Sequence, residues 1–371
     1  MNLKIALLAG DGIGPEVILQ AKKALYAIGV VYDHEFVFED AFVGAIAIEK
    51  TGNPLPEQTL NLCLNTDAVL FGAIGDPKYD NDPDSKVRPE QGLLKLRKEL
   101  GLFANIRPIK PYDSLLDSSP LKRKIIEGAD FIIFRELTGG VYFGEKKLNE
   151  AGTFASDLCE YSEEEISRIT HLAFKSAQKR RKKVTLVDKA NVLETSRLWR
   201  KVVKKVAEDY PEVILDFLFV DNAAMQIILN PKQFDVILTE NLFGDILSDE
   251  ASVITGSIGL LASASLGHTN ALFEPIHGSY PQATGKNIAN PIASILSAAM
   301  LLEHFGLHKE AKKVYEAVEK AIEDNAVTVD LKSDSKFGTN EVGDFIANFI
   351  LNKDDLYFKI DNVKIGQSTI V

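Results

Sequence analysis

No other stretch constrains this chain as tightly as Phe234 to Glu250, FDVILTENLFGDILSDE. Phe234 to Leu238 is a short apolar, β-branched run that reads as a buried strand. Directly after it, Ile246, Leu247, Val253 and Ile254 recur at helical spacing, so the segment turns from strand into helix. Asp245 and Asp249 then stand four apart on one helix face, with Cβ atoms about 5–6 Å from each other. Two carboxylates stacked that way repel unless positive charge lies between them. A hard divalent cation, Mg²⁺ or Mn²⁺, is the natural guest, because it takes oxygen ligands and often uses only a few carboxylates plus substrate. A lone D-x-x-x-D is more often a solvated acidic face, and the rest of the chain decides between the two.

From the start, Leu3 to Ala9 reads as a strand, GDGIGPE (Gly10 to Glu16) follows it, and a helix runs to about Ile28 with Pro15 in its first turn. The three glycines allow close backbone approach to a ligand, and a helix N-terminus favours anions. Equally, they make a tight strand-to-helix turn. The spacing is G-x-G-x-G-P, and no acid closes a second strand about 20 residues on, so this is not the dinucleotide fingerprint. The strand Ala68 to Gly72 opens onto AIGDPKYDNDPDSKVRPEQG, a Pro/Asp/Gly-rich loop of the functional kind. The helix after it carries Glu90, Leu93, Leu94 and Arg97. FANIRP places Arg107 before a proline, hence extended. Arg135 leaves the buried strand Phe131 to Phe134 in RELTGGVYFGE, with Tyr142 in the Gly-rich turn; Tyr142 alone reads more readily as packing. Three arginines leaving ordered elements beside Gly/Pro turns suit bidentate recognition of carboxylates.

Charge supports that search for local cations. With 42 Lys and Arg against 53 Asp and Glu the net charge is −11, which disfavours nucleic acid and anionic membranes as partners. The KRRKK run closing a helix from Glu163 to Lys183 reads as a solvated, dipole-complementing end. After the strand Val184 to Val187 comes Lys189; a lysine at a strand's end beside acids suits a general base if its surroundings favour the neutral amine, and is otherwise a surface charge. The strand Ile214 to Val220 ends at Asp221, ahead of an apolar helix Ala223 to Leu229. Gly256 to Gly267 reads as a crossing between domains, and Phe273 to Pro291 as a long ligand-binding loop. Helices are expected over Ile292 to Phe305, Lys309 to Asn325 and Asp344 to Leu351. The tail, 351–371, alternates at Tyr357, Lys359, Val363 and Ile365 and is expected as an edge strand or as disorder. Cys63 and Cys159 lack metal-ligand spacing and read as reduced core thiols of a cytoplasmic protein. MNLK runs straight into a strand without a signal peptide, and the longest apolar stretch, Pro291 to Leu302, is too short to span a bilayer.

GDGIGPE, RPEQGLLKLR, NIRP, RELTGGVYFGE, VDKANVLETSRLWR, VDNAAMQ, ENLFGDILSDE and EPIHGSYPQATGKNIANP fall in one order over residues 10 to 291. Together they resemble the β-decarboxylating dehydrogenases, the family of the isocitrate and isopropylmalate dehydrogenases. The resemblance implies an α/β chain of two domains sharing a continuous mixed sheet flanked by helices, not a Rossmann fold. The cofactor domain would comprise 1–102 plus 256–350, the substrate, metal and dimerisation domain 103–255, and the C-terminal tail 351–371. It implies a homodimer whose active sites draw on both subunits.

Matched position by position, Arg97, Arg107 and Arg135 would hold the two carboxylates of the substrate, with Asn191 and Val192 beside it. Asp245 and Asp249 would bind Mg²⁺ or Mn²⁺, with Asp221 reaching in from the partner subunit and touching substrate as well. Lys189, also from the partner, would assist deprotonation of the 2-hydroxyl, and Tyr142 would protonate the enolate left when CO₂ departs. NAD would lie on Ile13, Ile74, Gly75, Glu90, Glu274, His277, Gly278, Ser279, Gln282, Ala283 and Asn290. The implied reaction is oxidative decarboxylation of (2R,3S)-3-isopropylmalate to 4-methyl-2-oxopentanoate, via 2-isopropyl-3-oxosuccinate, in leucine biosynthesis. Glu90, Leu93 and Leu94 favour an isopropyl group, where isocitrate-using relatives place Ser and Asn for a third carboxylate. Alternatives are a D-malate or tartrate dehydrogenase of the same family, or a catalytically silent regulatory subunit. One departure stands out: NAD-using members carry an acid where this chain has Gln282, which should weaken the rejection of NADP.

Overall fold

Ile5 to Leu8 are completely buried, as a strand covered by helices on both faces demands. They belong to β1 (Asn2–Gly10), followed by α1 (Gly14–Tyr32), β2 (Glu35–Asp40), α2 (Ala45–Thr51), α3 (Glu57–Leu64), β3 (Ala68–Ala73), α4 (Pro77–Asp80) and α5 (Pro89–Glu99). The computed structural model describes residues 1–80, 87–357 and 359–360. By its packing the chain forms two units, Met1–Gly101 with Ser257–Val371, and Leu102–Gly256.

The second unit runs β4 (Ala104–Ile109), α6 (Arg123–Ile126), β5 (Phe131–Glu136), β6 (Lys146–Leu148), β7 (Ala155–Asp157), α7 (Glu163–Gln178), β8 (Lys183–Asp188), α8 (Glu194–Ala207), β9 (Ile214–Phe219), α9 (Val220–Leu229), β10 (Val236–Thr239) and α10 (Asn241–Thr255). Its strand order is β4-β5-β10-β8-β9, parallel except for β4 against β5. The hairpin β6–β7 stands apart from that sheet. Trp199, Phe174 and Phe134 pack with Val184, Leu186, Val236 and Leu238 into its core.

The first unit resumes with β11 (Ala262–Leu266), β12 (Ala271–Pro275), α11 (Ile292–His304), α12 (His308–Glu323) and α13 (Thr339–Ile350). Its order is β2-β1-β3-β12-β11, parallel except for β11 against β12. Helix α11 is buried at every position from Ile292 to Leu302 and packs on β3, β11, β12, α1 and α12. Mixed α/β sheets flanked by helices are the architecture expected from the sequence. Among the described residues no helix is long and apolar enough to cross a membrane.

Several local expectations need correction. The stretch read as a domain crossing and the start of the following loop contain the antiparallel pair β11–β12. Ala262 to Ser265 are all buried, and such small side chains carry little strand propensity of their own. Helix α7 stops at Gln178, short of the expected Lys183, and of the basic run Lys179, Arg181 and Lys182 remain exposed beyond it. Arg180 donates to Asp130 and Asp235, and Arg181 to the carbonyls of Asp130 and Phe234, pinning the starts of β5 and β10. Helix α9 begins at Val220 and holds Asp221 in its first turn. Helix α13 begins at Thr339, earlier than expected. In the tail, Tyr357 packs on Phe337 and Phe345; Val363 and Ile365 lie outside the described residues.

Helices α1 and α13 are joined by an ion pair out of water: Lys23 Nζ lies 2.5 Å from Asp344 Oδ1, with side chains 4% and 5% exposed. Removing one member of such a pair strands the other's charge. Lys23→Met is therefore expected to cost about 3–5 kcal/mol by denaturant unfolding, and Lys23→Met with Asp344→Leu to recover most of it. Equal losses in the two variants would show that the charge pair itself stabilises the protein.

Candidate active site

The second unit assembles its chemistry around α10. Strand β10 ends at Thr239, and Glu240 caps the helix by accepting from the Phe243 amide at 2.9 Å. Asn241, Gly244 and Ser248 face inward, Asp245 is partly exposed and Asp249 more so. Arg135, on the neighbouring β5, lies opposite Thr239 in the parallel register. Its Nη1 donates to Asp245 Oδ1, while Nε and Nη2 both donate to Asn241 Oδ1 at 3.0 and 2.8 Å. Arg107 comes from β4, the antiparallel neighbour of β5. Its Nε donates to Asn105 Oδ1 at 2.7 Å, and its Nη1 to Ser248 Oγ and, at 3.2 Å, to Asp249 Oδ1. Its Nη2 lies 3.8 Å from Asp245 Oδ1.

Tyr142 closes the short helical turn Gly140–Tyr142 and donates its hydroxyl to Asp245 Oδ2 at 2.5 Å. Burial, and then the Asp245 carboxylate, push the phenol up to about 12, so it keeps its proton throughout the neutral range. Five residues singled out in the sequence thus converge: Arg107, Arg135, Tyr142, Asp245 and Asp249. Two guanidinium groups stand against the two carboxylates, where a hard cation would find the oxygen donors it prefers. The donor set fits Mg²⁺ or Mn²⁺. Among the described residues no group of three His, Cys, Asp or Glu could hold a metal ion.

Lys189 and Asp221 make a second pair in the same unit. Lys189 follows β8, its amide held by Ser196 Oγ at 3.0 Å, and its Nζ donates to Asp221 Oδ2 at 2.8 Å. That bond holds the exposed Asp221 carboxyl below its usual range. Behind them Asp188 is buried and held by Arg200 at 2.5 and 3.1 Å. Asn191 and Val192 are exposed in the turn that follows.

The first unit places another group. In GDGIGPE the glycines serve backbone contact: a Cβ at Gly10 would meet Ala73 O at 1.9 Å, and one at Gly12 would meet Ser279 O at 2.0 Å, with φ of +70° and +58°. The turn reading therefore holds. Asp11 is buried and accepts from the amides of Ala45 (2.9 Å), Ile46 (3.1 Å) and Gly75 (3.0 Å). Ile13 donates its amide to Ser279 O at 2.8 Å and packs with Val17, Ala283 and Ala289. Gly75, next to Ile74, lies beside Glu90 Oε1 and Ser279 Oγ. Ile13, Gly75, Glu90, Ser279 and Ala283 are thus neighbours.

The remaining candidates in that unit differ in what they offer. His277 Nε2 is buried with no hydrogen-bond partner among the described residues, and burial lowers the imidazole's pKa, keeping it neutral. That orphaned nitrogen, beside the open space at Gly278, could exchange one hydrogen bond with a bound ligand such as a nucleotide. Gln282 is exposed. The Asn290 side chain donates to Asp330 and accepts from the Ile292 amide, both at 3.0 Å. Arg97 pairs with Glu274 at 2.8 Å, both side chains largely buried. Leu93 is buried, and Leu94 partly so.

The sequence reading missed Asn105, Asn241, Gly244 and Ser248, which set the two arginines, and Asp11. A signal existed for two of them: Asn241 and Ser248 stand four before and three after Asp245, on its own helix face.

The isocitrate/isopropylmalate dehydrogenase family matches residues 4–346 of the chain. The sequence is 53% identical over 352 residues to a 3-isopropylmalate dehydrogenase of Bacteroides fragilis, covering 94% of this chain and 99% of that one. It is 51% identical to that of Aquifex aeolicus (95% and 99% covered) and 52% to that of Bacillus subtilis (92% and 95%). Among solved structures, an isocitrate dehydrogenase from Methylococcus capsulatus superposes with a TM-score of 0.85 at 35% identity, covering 94% and 99% of the two chains. A β-decarboxylating dehydrogenase from Thermococcus kodakarensis superposes at 0.77 and 36% identity, covering 94% and 96%.

Proposed function

This chain belongs to the isocitrate/isopropylmalate dehydrogenase family, and on that footing we propose that it oxidatively decarboxylates (2R,3S)-3-isopropylmalate to 4-methyl-2-oxopentanoate, reducing NAD, in the cytoplasm. The observation that carries the reading is the convergence of Arg107, Arg135 and Tyr142 on Asp245 and Asp249.

Arg107 and Arg135 hold the dianion's carboxylates and orient C2 and C3. Lys189 of the partner subunit would assist deprotonation of the 2-hydroxyl as C2 is oxidised. Loss of the β-carboxylate as CO₂ leaves an enolate, and Tyr142, which retains its proton at neutral pH, delivers that proton to carbon. Ile13, Gly75, Ser279 and His277 would hold NAD, which would supply the hydride acceptor. Asp245, Asp249 and the partner subunit's Asp221 would hold Mg²⁺ or Mn²⁺, which would supply Lewis acidity worth several kcal/mol. A dimer is favoured by exposed apolar side chains on two helices that pack together, Met225 and Leu229 on α9 with Ile246 and Val253 on α10.

Isocitrate is the second reading, because one structural neighbour bears that name. Leu94, part-exposed beside Glu90 on α5, offers apolar surface and no donor for a third carboxylate. The test is a substrate panel of 3-isopropylmalate, isocitrate, D-malate and tartrate with Mg²⁺ or Mn²⁺. The expected order puts 3-isopropylmalate first by about 10²-fold in kcat/KM; equal turnover of isocitrate or D-malate overturns the assignment, and a wholly inert protein indicates a regulatory subunit.

Gln282 bears on the cofactor. A neutral side chain neither repels a 2′-phosphate nor pairs with it, so slow turnover with NADP is expected. Gln282→Asp should raise the NAD-to-NADP ratio of kcat/KM by roughly tenfold through charge repulsion. An unchanged ratio removes position 282 from cofactor choice.

A further inference from the structure

Arg135 reaches Asp245 because of what the first turns of α10 lack and what they carry. The β5–β10 register sets Arg135 beside Thr239, two residues before α10 begins. Its side chain therefore passes against the helix at Gly244. A Cβ there would lie 2.6 Å from Arg135 Cγ, 2.8 Å from Arg135 Cβ and 3.1 Å from Thr239 Cγ2. Those arginine atoms are the root of the side chain, anchored to a strand paired on both sides, and cannot swing aside as a chain end would.

Rotation is set by Asn241, which is buried. Its oxygen takes both Nε and Nη2 of Arg135, and its Nδ2 donates to the Gly139 carbonyl at 3.1 Å, so the amide cannot flip without losing all three bonds. Asn241 is itself anchored: its backbone amide donates to the Tyr161 hydroxyl at 3.0 Å, which donates to the buried Glu240 at 2.9 Å. With one edge of the guanidinium taken, Nη1 is turned to Asp245 and the group lies 5.5 Å from the Tyr142 ring centre.

We propose that Gly244 and Asn241 are positioning residues: the glycine opens the passage that Arg135 occupies, and the amide sets the guanidinium's rotation so that its Nη1 edge is presented to the substrate. The catalytic half of this rests on the reading above that Arg135 receives a substrate carboxylate; the geometric half does not.

A double-mutant cycle tests the passage through thermal unfolding, without any substrate. Gly244→Ala is expected to lower Tm by about 5 °C in the wild-type background, as overpacking does. In an Arg135→Gly background, which removes both the Cβ and the Cγ that the methyl would meet, the same change is expected to lower it by about 1 °C or less. Equal drops in both backgrounds would mean that helix packing alone requires the glycine, and would overturn the proposal. For the amide, Asn241→Ala is expected to raise KM for 3-isopropylmalate on the order of tenfold with KM for NAD unchanged. Asn241→Asp, which keeps an oxygen facing Nε and Nη2, is expected to return KM to within about threefold of wild type. An aspartate variant as impaired as the alanine one, or both KM values rising together, defeats the positioning role. Should the wild-type enzyme ignore 3-isopropylmalate, the functional reading fails, and the thermal cycle still decides whether Gly244 serves Arg135.

Discussion

An Asp245→Asn enzyme is expected to lose about 10³-fold in kcat/KM for 3-isopropylmalate. The carboxylate at this position is the meeting point of the second unit's chemistry: Oδ1 accepts from Arg135, Oδ2 accepts from Tyr142, and Arg107 lies within ion-pair range. An asparagine keeps the shape and removes the charge, and a hard cation held by few ligands depends on that charge. If Lewis acidity contributes about 4 kcal/mol to the transition state, its loss corresponds to roughly three decades in rate. The defect should lessen as Mg²⁺ or Mn²⁺ is raised, because weaker binding is part of its cause. The measurement is kcat/KM against metal concentration for both proteins, with chelator controls. An Asp245→Asn enzyme within fivefold of wild type, or a wild-type enzyme indifferent to EDTA, would end the metal-assisted reading.

Tyr142→Phe should lower kcat by about 10²–10³-fold, the usual scale for one general acid, and should do so late in the reaction. Tyr142 is placed to hold a proton: burial and the adjacent carboxylate raise the phenol to about 12. Its task comes after C2 is oxidised and CO₂ has gone. Rapid mixing should therefore show a burst of NADH, near one per active site and close to the wild-type rate, followed by slow turnover. NADH formation slowed from the first turnover, in proportion to kcat, would place the tyrosine before hydride transfer and refute the assigned step.

The parts of the site legible in the sequence are those set by local geometry. Helical periodicity puts Asp245 and Asp249 on one face, and Pro108 marks Arg107 as extended. The parts that were not legible depend on which strand lies beside which. Nothing near Asn241 or Gly244 announces Arg135, because the need for a small residue and an amide arises only once β5 and β10 are neighbours. Asp11 holds amides 34 and 64 residues away. The strands β11 and β2 escaped notice for opposite reasons: the first is built of Ala and Ser, and the second, EFVFED, carries charge at its ends and stands last in the strand order. GDGIGPE suited a ligand cradle and a turn equally well, and the contacts of Gly10 and Gly12 with neighbouring backbone explain the turn.

The division of the chain has a consequence for its synthesis. Residues 102–256 are contiguous, whereas the first unit is split, and α11, which covers β3 and packs on α1, is encoded some 200 residues after them. On a ribosome elongating at about 5–20 residues per second, the opening strands wait on the order of 10–40 s for their cover. During that interval the later-encoded unit can fold first, and the nascent N-terminal third offers chaperones an uncovered apolar surface.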